Sequence, residues 1–205
     1  MSTKSDTPTQ KRRYQKRRRA EQEAETRRRI TEAAVALHGS VGPAKTTISA
    51  VAERAGVQRA TVYSHFPDEA SLFAACSSHW AAQHPLPDPS RWREIDDPEA
   101  RLRAALAALY AYYRKAEPML ANVSRDAELI PALAAVGERR RRYLSEAEDI
   151  LVAGWGEGDP ALQRASIALA VDFPTWRLLV RGRDLGDSEA VELMTRAVVC
   201  ASASA

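Results

Sequence analysis

Polar side chains suited to contacting DNA bases lie close together between positions 58 and 65. They are Gln58, Arg59, Thr61, Ser64 and His65. All of them can form hydrogen bonds and are of modest size. A helix that carries them on one face could enter the major groove of DNA, which is only about 12 Å wide, and reach the edges of the base pairs.

A helix-turn-helix would position these side chains. Thr46 or Thr47 is a suitable N-cap for a first helix, because a threonine hydroxyl accepts a hydrogen bond from a free backbone N–H. The apolar face of that helix consists of Ile48, Val51, Ala52 and Ala55. Gly56 then permits a sharp turn, and a helix over about 58–65 follows, with Val57 and Val62 turned inward. A structural corner that contacts no DNA has the same spacing, so the pattern alone leaves this alternative open.

The rest of the chain is also predicted to be helical. A supporting helix begins near Glu21 and carries Ile30, Ala33, Ala34, Leu37 and Val41 at steps of three and four residues. Further helices are predicted at about 67–82, 97–116, 117–128, 131–154, 160–182 and 187–201. No strand-like alternation is visible, which indicates an all-α protein. Three prolines within 83–92 suggest a joint, so we expect a helix-turn-helix domain at 21–82 and a helical domain at 83–205.

The charge is divided unevenly along the chain. Residues 1–29 contain 11 Lys and Arg against 4 Asp and Glu (net +7), whereas residues 30–205 contain 19 against 23 (net −4). The basic residues concentrate in KRRYQKRRR at 11–19. Residues 1–20 are therefore predicted to be a disordered basic arm that binds DNA phosphates through residues such as Arg17, Arg18 and Arg19. A solvated tail without a partner is the alternative.

Motifs for catalysis or cofactor binding are missing from the sequence. It contains no GxSxG, HExxH, GxxxxGK[ST] or GxGxxG pattern, so we expect a protein that is not an enzyme and needs no cofactor. Cys76, His79 and His84 have no evident fourth partner for a metal, which favours a buried thiol and surface imidazoles. Two distant cysteines fit a reducing cytoplasm. The sequence contains no apolar run that is long enough to span a membrane.

About 50 residues resemble the N-terminal domain of TetR/AcrR-type transcriptional regulators. The resemblance rests on Ile30, Ala33, Ala34, Leu37, Gly42, Thr46, Thr47, Ile48, Val51, Ala52, Ala55, Gly56, Val57, Thr61, Val62, Tyr63, His65, Phe66 and Leu72. It implies a three-helix DNA-binding head followed by an all-α domain that binds a ligand and dimerises. The alternative is a dimeric DNA-binding protein whose C-terminal domain binds no ligand.

The resemblance also implies roles for single residues. Thr47 and Ser49 would meet phosphates or the groove edge, Gln58, Arg59 and Thr61 would face the bases, and Tyr63 and His65 would bond the DNA backbone. Arg59 is the best candidate for a bidentate contact to guanine. Three positions depart from the family pattern. Glu69 stands where many members have a phosphate-binding lysine, and His38 and Pro43 replace aromatic residues.

Candidate ligand-binding residues lie among the aromatic residues of the C-terminal region. They are Tyr113, Arg125, Trp155, Asp172 and Trp176. Asp172 is a polar residue in an otherwise apolar predicted helix, beside Phe173 and Trp176, and Pro174 would kink this helix. Such residues can also belong to an ordinary core, and Asp172 can simply pair with an arginine, so this assignment is open.

The last two predicted helices would, by the resemblance, form a dimer interface through Leu178, Val180, Leu193, Ala197 and Val198. Two heads related by a two-fold axis can read a pseudo-palindromic operator in double-stranded DNA. The sequence thus predicts a homodimeric, cytoplasmic bacterial regulator. We expect it to be a repressor that a small-molecule effector releases from DNA.

Overall fold

The computed structural model describes residues 8–156 and 158–203, and every regular element in these ranges is a helix. The chain divides into two compact units, Met1–Trp80 and Ala81–Ala205. The all-α prediction is confirmed. The predicted joint at 83–92 lies at the start of the second unit.

The first unit contains a helix-turn-helix preceded by a long helix. Its elements are α1 (Pro8–Ser40), α2 (Ile48–Ala55), α3 (Arg59–His65) and α4 (Glu69–Gln83), with a short 3-10 turn at Pro43–Lys45. α4 runs three residues past the division between the units. Thr47 caps α2 by accepting a hydrogen bond from the backbone N–H of Ala50 at 3.1 Å. Gly56 ends α2 with φ 64° and ψ 42°, a left-handed conformation that favours glycine.

The basic arm is helical where the structure describes it, and the prediction of disorder is wrong from Pro8 onward. Residues 1–7 lie outside the described residues. Arg, Lys, Gln, Glu and Ala dominate 10–29, and these residues lose little side-chain freedom in a helix. Ion pairs one turn apart add support, with Arg17 bound to Glu21 at 2.8 Å and Arg19 to Glu23 at 3.3 Å. The arm therefore continues α1 as one helix.

The core of the first unit fills the space between α1, α2, α3 and α4. Its residues are Ile30, Ala33, Ala34, Val51, Ala52, Ala55, Val62, Phe66, Leu72 and Cys76. His38 is buried, and its ring stacks on Phe73 with centroids 5.0 Å apart and planes 11° apart. Pro43 is also buried. The two departures from aromatic residues thus remain inside the head, and His38 keeps a ring at its position.

The second unit is a bundle. It consists of α5 (Pro98–Asp126), α6 (Ala134–Leu151), α7 (Pro160–Val171), α8 (Phe173–Gly182) and α9 (Asp187–Ala203), with 3-10 turns at Pro89–Glu94 and Pro131–Leu133. α5 supplies much of its core through Leu102, Leu106, Leu109 and Tyr110, all fully buried. No helix in the described part of the chain is both long and apolar enough to cross a membrane.

Two helix boundaries in the second unit differ from the prediction. Residues 97–128 were expected to form two helices, but α5 continues through Pro118. Buried Ala116 and Met119 flank this proline, so packing offsets the hydrogen bond that proline removes. Conversely, residues 160–182 were expected to form one kinked helix but form two. Asp172 has ψ 141° and accepts a hydrogen bond from the N–H of Phe173 at 3.0 Å, so Asp172 caps α8 and Pro174 lies in its first turn.

Asp187, at the start of α9, joins three helices of the second unit. Its carboxylate accepts hydrogen bonds from Arg114 of α5 at 2.5 and 2.8 Å and from the indole N–H of Trp176 of α8 at 3.0 Å. The hydrogen bonds from Arg114, helped by Trp176, lower the pKa of Asp187 below its ordinary value. The charged form therefore stabilises the fold above about pH 4, and this contribution is lost as the pH falls through the lowered pKa.

Replacing Asp187 with Asn is expected to lower the melting temperature at pH 7 by about 2–4 °C, which corresponds to about 1 kcal/mol for a partly exposed charged hydrogen bond. The difference from the native protein should shrink between pH 5 and pH 3. Thermal unfolding followed by circular dichroism measures both values. Asp96→Asn is the matched control, because Asp96 is exposed. A difference that is equally large at pH 3 and pH 7 would show that the charge of Asp187 is not the cause.

Candidate nucleic-acid interface

α3 presents most of its surface to solvent. Of its seven residues, all of them described by the structure, Val62 alone is buried. Gln58, Arg59, Tyr63 and Ser64 are exposed, and Thr61 and His65 are half-buried. Val62 and the half-buried Val57 pack into the core of the first unit, as expected. The polar residues singled out in the sequence therefore lie around the free side of one short helix.

The outermost positions of α3 are Ala60 and Ser64, because they lie one turn apart on the side opposite Val62. Ala60 is exposed, although it has no polar group that would mark it in the sequence as a base-contacting residue. An alanine methyl group can contact the methyl group of thymine. The hydroxyl of Ser64 donates to the carbonyl oxygen of Thr61 at 2.8 Å, so its oxygen is left to act as an acceptor. The spacing of four residues between Ala60 and Ser64 places both on the same side of a helix, and this is the sequence feature that could have identified Ala60.

The start of α2 offers groups suited to phosphate. Thr47 and Ser49 are both exposed. The oxygen of the Thr47 hydroxyl is occupied by the N–H of Ala50, but its own proton is available for donation. The positive end of the helix dipole also lies here. Lys45, two residues before Thr47, is exposed and adds a cation.

The start of α4 is acidic. Asp68 accepts a hydrogen bond from the N–H of Ser71 at 2.7 Å and so caps this helix. Glu69 is exposed in its first turn. Two carboxylates at this place repel phosphate, so the first turn of α4 does not provide the cationic contact that a lysine would.

The helical arm arranges its basic residues by face. Arg12, Lys16, Arg19 and Arg27 recur at helical spacing and lie in line with the buried residues Ile30 and Ala34 and the half-buried Leu37 further along α1. This basic stripe of α1 contains only Arg19 from the predicted set. Arg17 and Arg18 are exposed on other faces of the helix. The stripe was missed because a disordered arm has no faces.

Cys76 is buried in the first unit. Its thiol lies 3.8 Å from the carbonyl oxygen of Thr31, and burial raises the pKa of the thiol to about 12. A protonated thiol is a poor metal ligand. Within the described residues, no group of three or more His, Cys, Asp and Glu side chains is placed to hold a metal ion.

Three of the five predicted ligand-binding residues lie around one aromatic cluster in the second unit. The Tyr113 ring lies 5.5 Å from Phe173 and 6.0 Å from Trp176, measured between centroids. Its hydroxyl donates to the carbonyl oxygen of Val171 at 2.5 Å. Burial is the main cause that raises the pKa of Tyr113, so this hydroxyl is protonated at neutral pH.

Arg140 is the charged partner of this cluster. Its guanidinium bonds to Asp172 at 3.1 Å and lies 5.6 Å from the centroid of Phe173. This role could not be predicted from the sequence, because Arg140 lies in a run of four arginines that resembles a solvated face. Asp172 is thus a helix cap and an ion-pair partner, the plainer of the two interpretations of this residue.

The other two predicted ligand-binding residues make different contacts. The indole N–H of Trp155 donates to the carbonyl oxygen of Leu151 at 2.7 Å. The Arg125 guanidinium pairs with the buried carboxylate of its neighbour Asp126 at 2.7 Å. Neither of these contacts involves the cluster around Tyr113. The structure therefore brings together Tyr113, Asp172 and Trp176, with Arg140 added.

Several apolar side chains are exposed on the helices expected to form a dimer interface. α7 and α9 pack together, and Leu162 and Leu169 of α7 and Leu193 and Ala197 of α9 are exposed, as is Leu178 of α8. We call these five residues the α7–α9 apolar face. Val180 and Val198, expected to lie in the interface, are buried in the core of the second unit. Both valines lie on the side of their helix that faces the core of the second unit.

Comparisons with known proteins agree with this architecture. Residues 30–76 match the family described as bacterial regulatory proteins, tetR family. Among solved structures, NalD, the secondary repressor of the MexAB-OprM multidrug efflux pump in Pseudomonas aeruginosa, is 22% identical with a TM-score of 0.58, covering 86% of this chain and 97% of its own. No curated protein sequence matches the chain.

Two further structures have the same fold. The tetR family transcriptional regulator PfmR from Thermus thermophilus is 19% identical with a TM-score of 0.60, covering 83% of this chain and 97% of its own. A TetR-like transcriptional regulator from Rhodococcus sp. RHA1 is 20% identical with a TM-score of 0.60, covering 84% and 93%. The fold thus extends over both units.

Proposed function

We propose that this chain, a member of the tetR family of bacterial regulatory proteins, binds double-stranded DNA as a homodimer and represses transcription until a small molecule releases it. The observation that carries the proposal is α3, which follows a capped helix and a left-handed glycine and keeps one buried side chain while its polar residues are exposed. Such a helix can enter the major groove.

Different parts of the first unit would contact the DNA bases and the DNA phosphates. Gln58, Arg59 and Thr61 would contact bases, with Ala60 and Ser64 outermost in the groove. Thr47 and Ser49 at the start of α2, together with Tyr63 and His65, would fix the register on the phosphates. Residues 30–80 have a net charge of −1. The arm, including Arg17, Arg18 and Arg19, would therefore supply most of the sequence-independent affinity.

Selection of DNA from a random pool tests this proposal. Duplexes with a randomised centre are bound to the full chain at 100 mM salt, and the bound fraction is amplified and sequenced over several rounds. We expect two half-sites related by a two-fold axis, with centres about 34–36 Å apart. The recovered sequence is called the selected duplex below. A pool that stays random after repeated rounds would contradict the proposal.

The dimer would form through the α7–α9 apolar face, since a four-helix contact between two copies removes these leucines from water. Replacing both Leu169 and Leu193 with Glu is expected to give a monomer in sedimentation velocity and to lower affinity for the selected duplex at least about 100-fold, because each half-site is then bound separately. Leu129→Glu is the control, since Leu129 is 71% exposed and lies outside this face. A double variant that remains dimeric would contradict this interface.

The second unit would receive the effector near the cluster of Tyr113, Phe173 and Trp176, where Arg140 and Asp172 add polar groups, with Arg125 and Trp155 as further candidates. The structural similarity to NalD supports the proposal of a repressor, since NalD is described as a repressor. Effector binding would oppose DNA binding by a coupling of about 1–3 kcal/mol. The alternative is a protein whose second unit only dimerises.

Release from DNA distinguishes these two possibilities. Fractions of a cell extract containing small molecules are added to the complex with fluorescently labelled selected duplex, and anisotropy reports release. Release by a protein-free fraction supports effector control, and stable binding in all fractions supports the alternative. In either case the protein would act in the cytoplasm, where its DNA is, and would have no catalytic activity.

A further inference from the structure

The helix that carries the base-contacting residues has few contacts that fix its orientation. α3 ends at His65, and Val62 is its one buried side chain among residues that the structure describes in full. Phe66, the residue after it, is also buried. Val62 fixes the middle of α3, and Phe66 fixes the residue that follows it. The position of the last turn between them also depends on what binds the carbonyl oxygen of His65.

Arg27 of α1 makes that contact. Its guanidinium donates a hydrogen bond to the carbonyl oxygen of His65 at 2.5 Å. The same guanidinium lies over the Phe66 ring, 4.0 Å from the centroid. The last carbonyls of a helix have no partners within it and carry partial negative charge, so a cation there is favourable. A cation over an aromatic face adds to this attraction.

The two neighbouring arginines have different surroundings. Arg28 pairs with Glu25 at 2.7 Å and with Glu32 at 2.6 Å, both on α1 itself. Arg29 is exposed. The three consecutive arginines therefore have different roles in the fold. In the contacts of the described residues, Arg27 is the one of the three that reaches the helix-turn-helix.

We propose that Arg27 is a positioning residue for specificity. It fixes the carboxyl end of α3 relative to α1 and so sets the angle at which Gln58, Arg59 and Ser64 meet the bases. It acts through α3 and does not serve as a phosphate contact. This inference rests on the proposed function, since it needs a specific DNA site to be expressed in binding.

The test compares Arg27→Gln with Arg29→Gln, which removes the same charge two positions along the helix. Affinities of the full chain for the selected duplex and for a scrambled duplex of equal composition are measured across a salt series. For Arg27→Gln we expect about a tenfold loss for the selected duplex, from the lost charged and aromatic contact, an unchanged affinity for the scrambled duplex and an unchanged salt slope. Arg29→Gln should leave the ratio of the two affinities unchanged.

Two further variants separate positioning from loss of fold. Arg27→Lys keeps the charge but cannot reproduce the planar contact to carbonyl and ring, so it should also lose specificity. Phe66→Leu keeps an apolar side chain but removes the ring. If the guanidinium and the ring act as one contact, the double variant Arg27→Gln/Phe66→Leu should lose less affinity for the selected duplex than the sum of the losses of the two single variants, in free energy.

Several outcomes would overturn the inference. Equal losses on both duplexes with a shallower salt slope would make Arg27 a phosphate contact, and native behaviour of Arg27→Lys would reduce its role to charge. Hydrogen exchange of the DNA-free chain gives an independent readout: Arg27→Gln should speed exchange in α3 and leave α2 unchanged. If the native chain selects no DNA, the proposed function fails, and exchange in α3 still decides whether Arg27 holds this helix. Unchanged exchange in α3 would then refute the inference.

Discussion

Replacing Arg59 with Ala is expected to lower the affinity for each half-site of the selected duplex about 5- to 150-fold, which corresponds to about 1–3 kcal/mol for one bidentate base contact. Arg59 is the first residue of α3 and is exposed. It is the one arginine on α3, so no neighbour on this helix could replace the two parallel hydrogen bonds that the proposed function assigns to it. Base preference should relax at a single position of each half-site, where we expect the native chain to select guanine.

Titration of the native and variant chains against the selected duplex and against duplexes with one base pair changed measures this effect. Arg54→Ala is the control. Arg54 is an exposed arginine in the last turn of α2, so its loss removes the same charge outside α3. If Arg59→Ala weakens binding to all duplexes equally, Arg59 contacts phosphate and the base-reading role assigned to it is wrong.

Deletion of residues 1–19 is expected to have the second large effect. The segment contains eight Lys and Arg and one Asp, whereas residues 30–80 have no positive surplus. Each phosphate contact that is lost should make the slope of log K against log salt shallower by about 0.9. Affinity should fall for the selected and scrambled duplexes alike, because phosphates carry no sequence information. Fluorescence anisotropy between 50 and 300 mM salt gives the slope.

Matched charge removals test whether the arm binds as a helix. One triple variant replaces with Gln three of the four residues of the basic stripe, Arg12, Lys16 and Arg19, and leaves Arg27. The other replaces three residues on the remaining faces, Arg13, Arg17 and Arg18. Both remove three charges, and the first should change the slope more because its residues share one face of α1. Equal effects would mean that the arm binds without its helical order, and an unchanged slope after deletion of residues 1–19 would remove the arm from the interface.

The helix-turn-helix could be predicted from sequence because its signals are local. Thr47 caps α2 and Gly56 ends it, and Val62 is the buried anchor of α3, all within 16 residues. The arm was mispredicted for the opposite reason. Its charge density suggested disorder, but Arg, Gln and Glu have good helix propensity and pair one turn apart, so they continue α1.

Contacts distant in sequence explain what else could not be predicted. Arg27 and His65 are 38 positions apart, and nothing around Arg27 distinguishes it from Arg28 and Arg29. Two prolines behave differently for the same reason: Pro118 lies inside a helix held by burial on both sides, whereas Pro174 follows a residue that caps a new helix. Which side of α9 faces the core also depends on the fold, so Val198 was placed in an interface although it is buried in the second unit.

The specificity ratio of the native chain shows whether α3 reads DNA sequence. It is the affinity for the selected duplex divided by that for a scrambled duplex of equal length and composition, both measured at 150 mM salt with the full chain. We predict a ratio of at least about 10³, the lower end for specific regulators, with one dimer bound per duplex. A ratio near one at the same salt concentration would contradict the account, because α3 would then read no sequence.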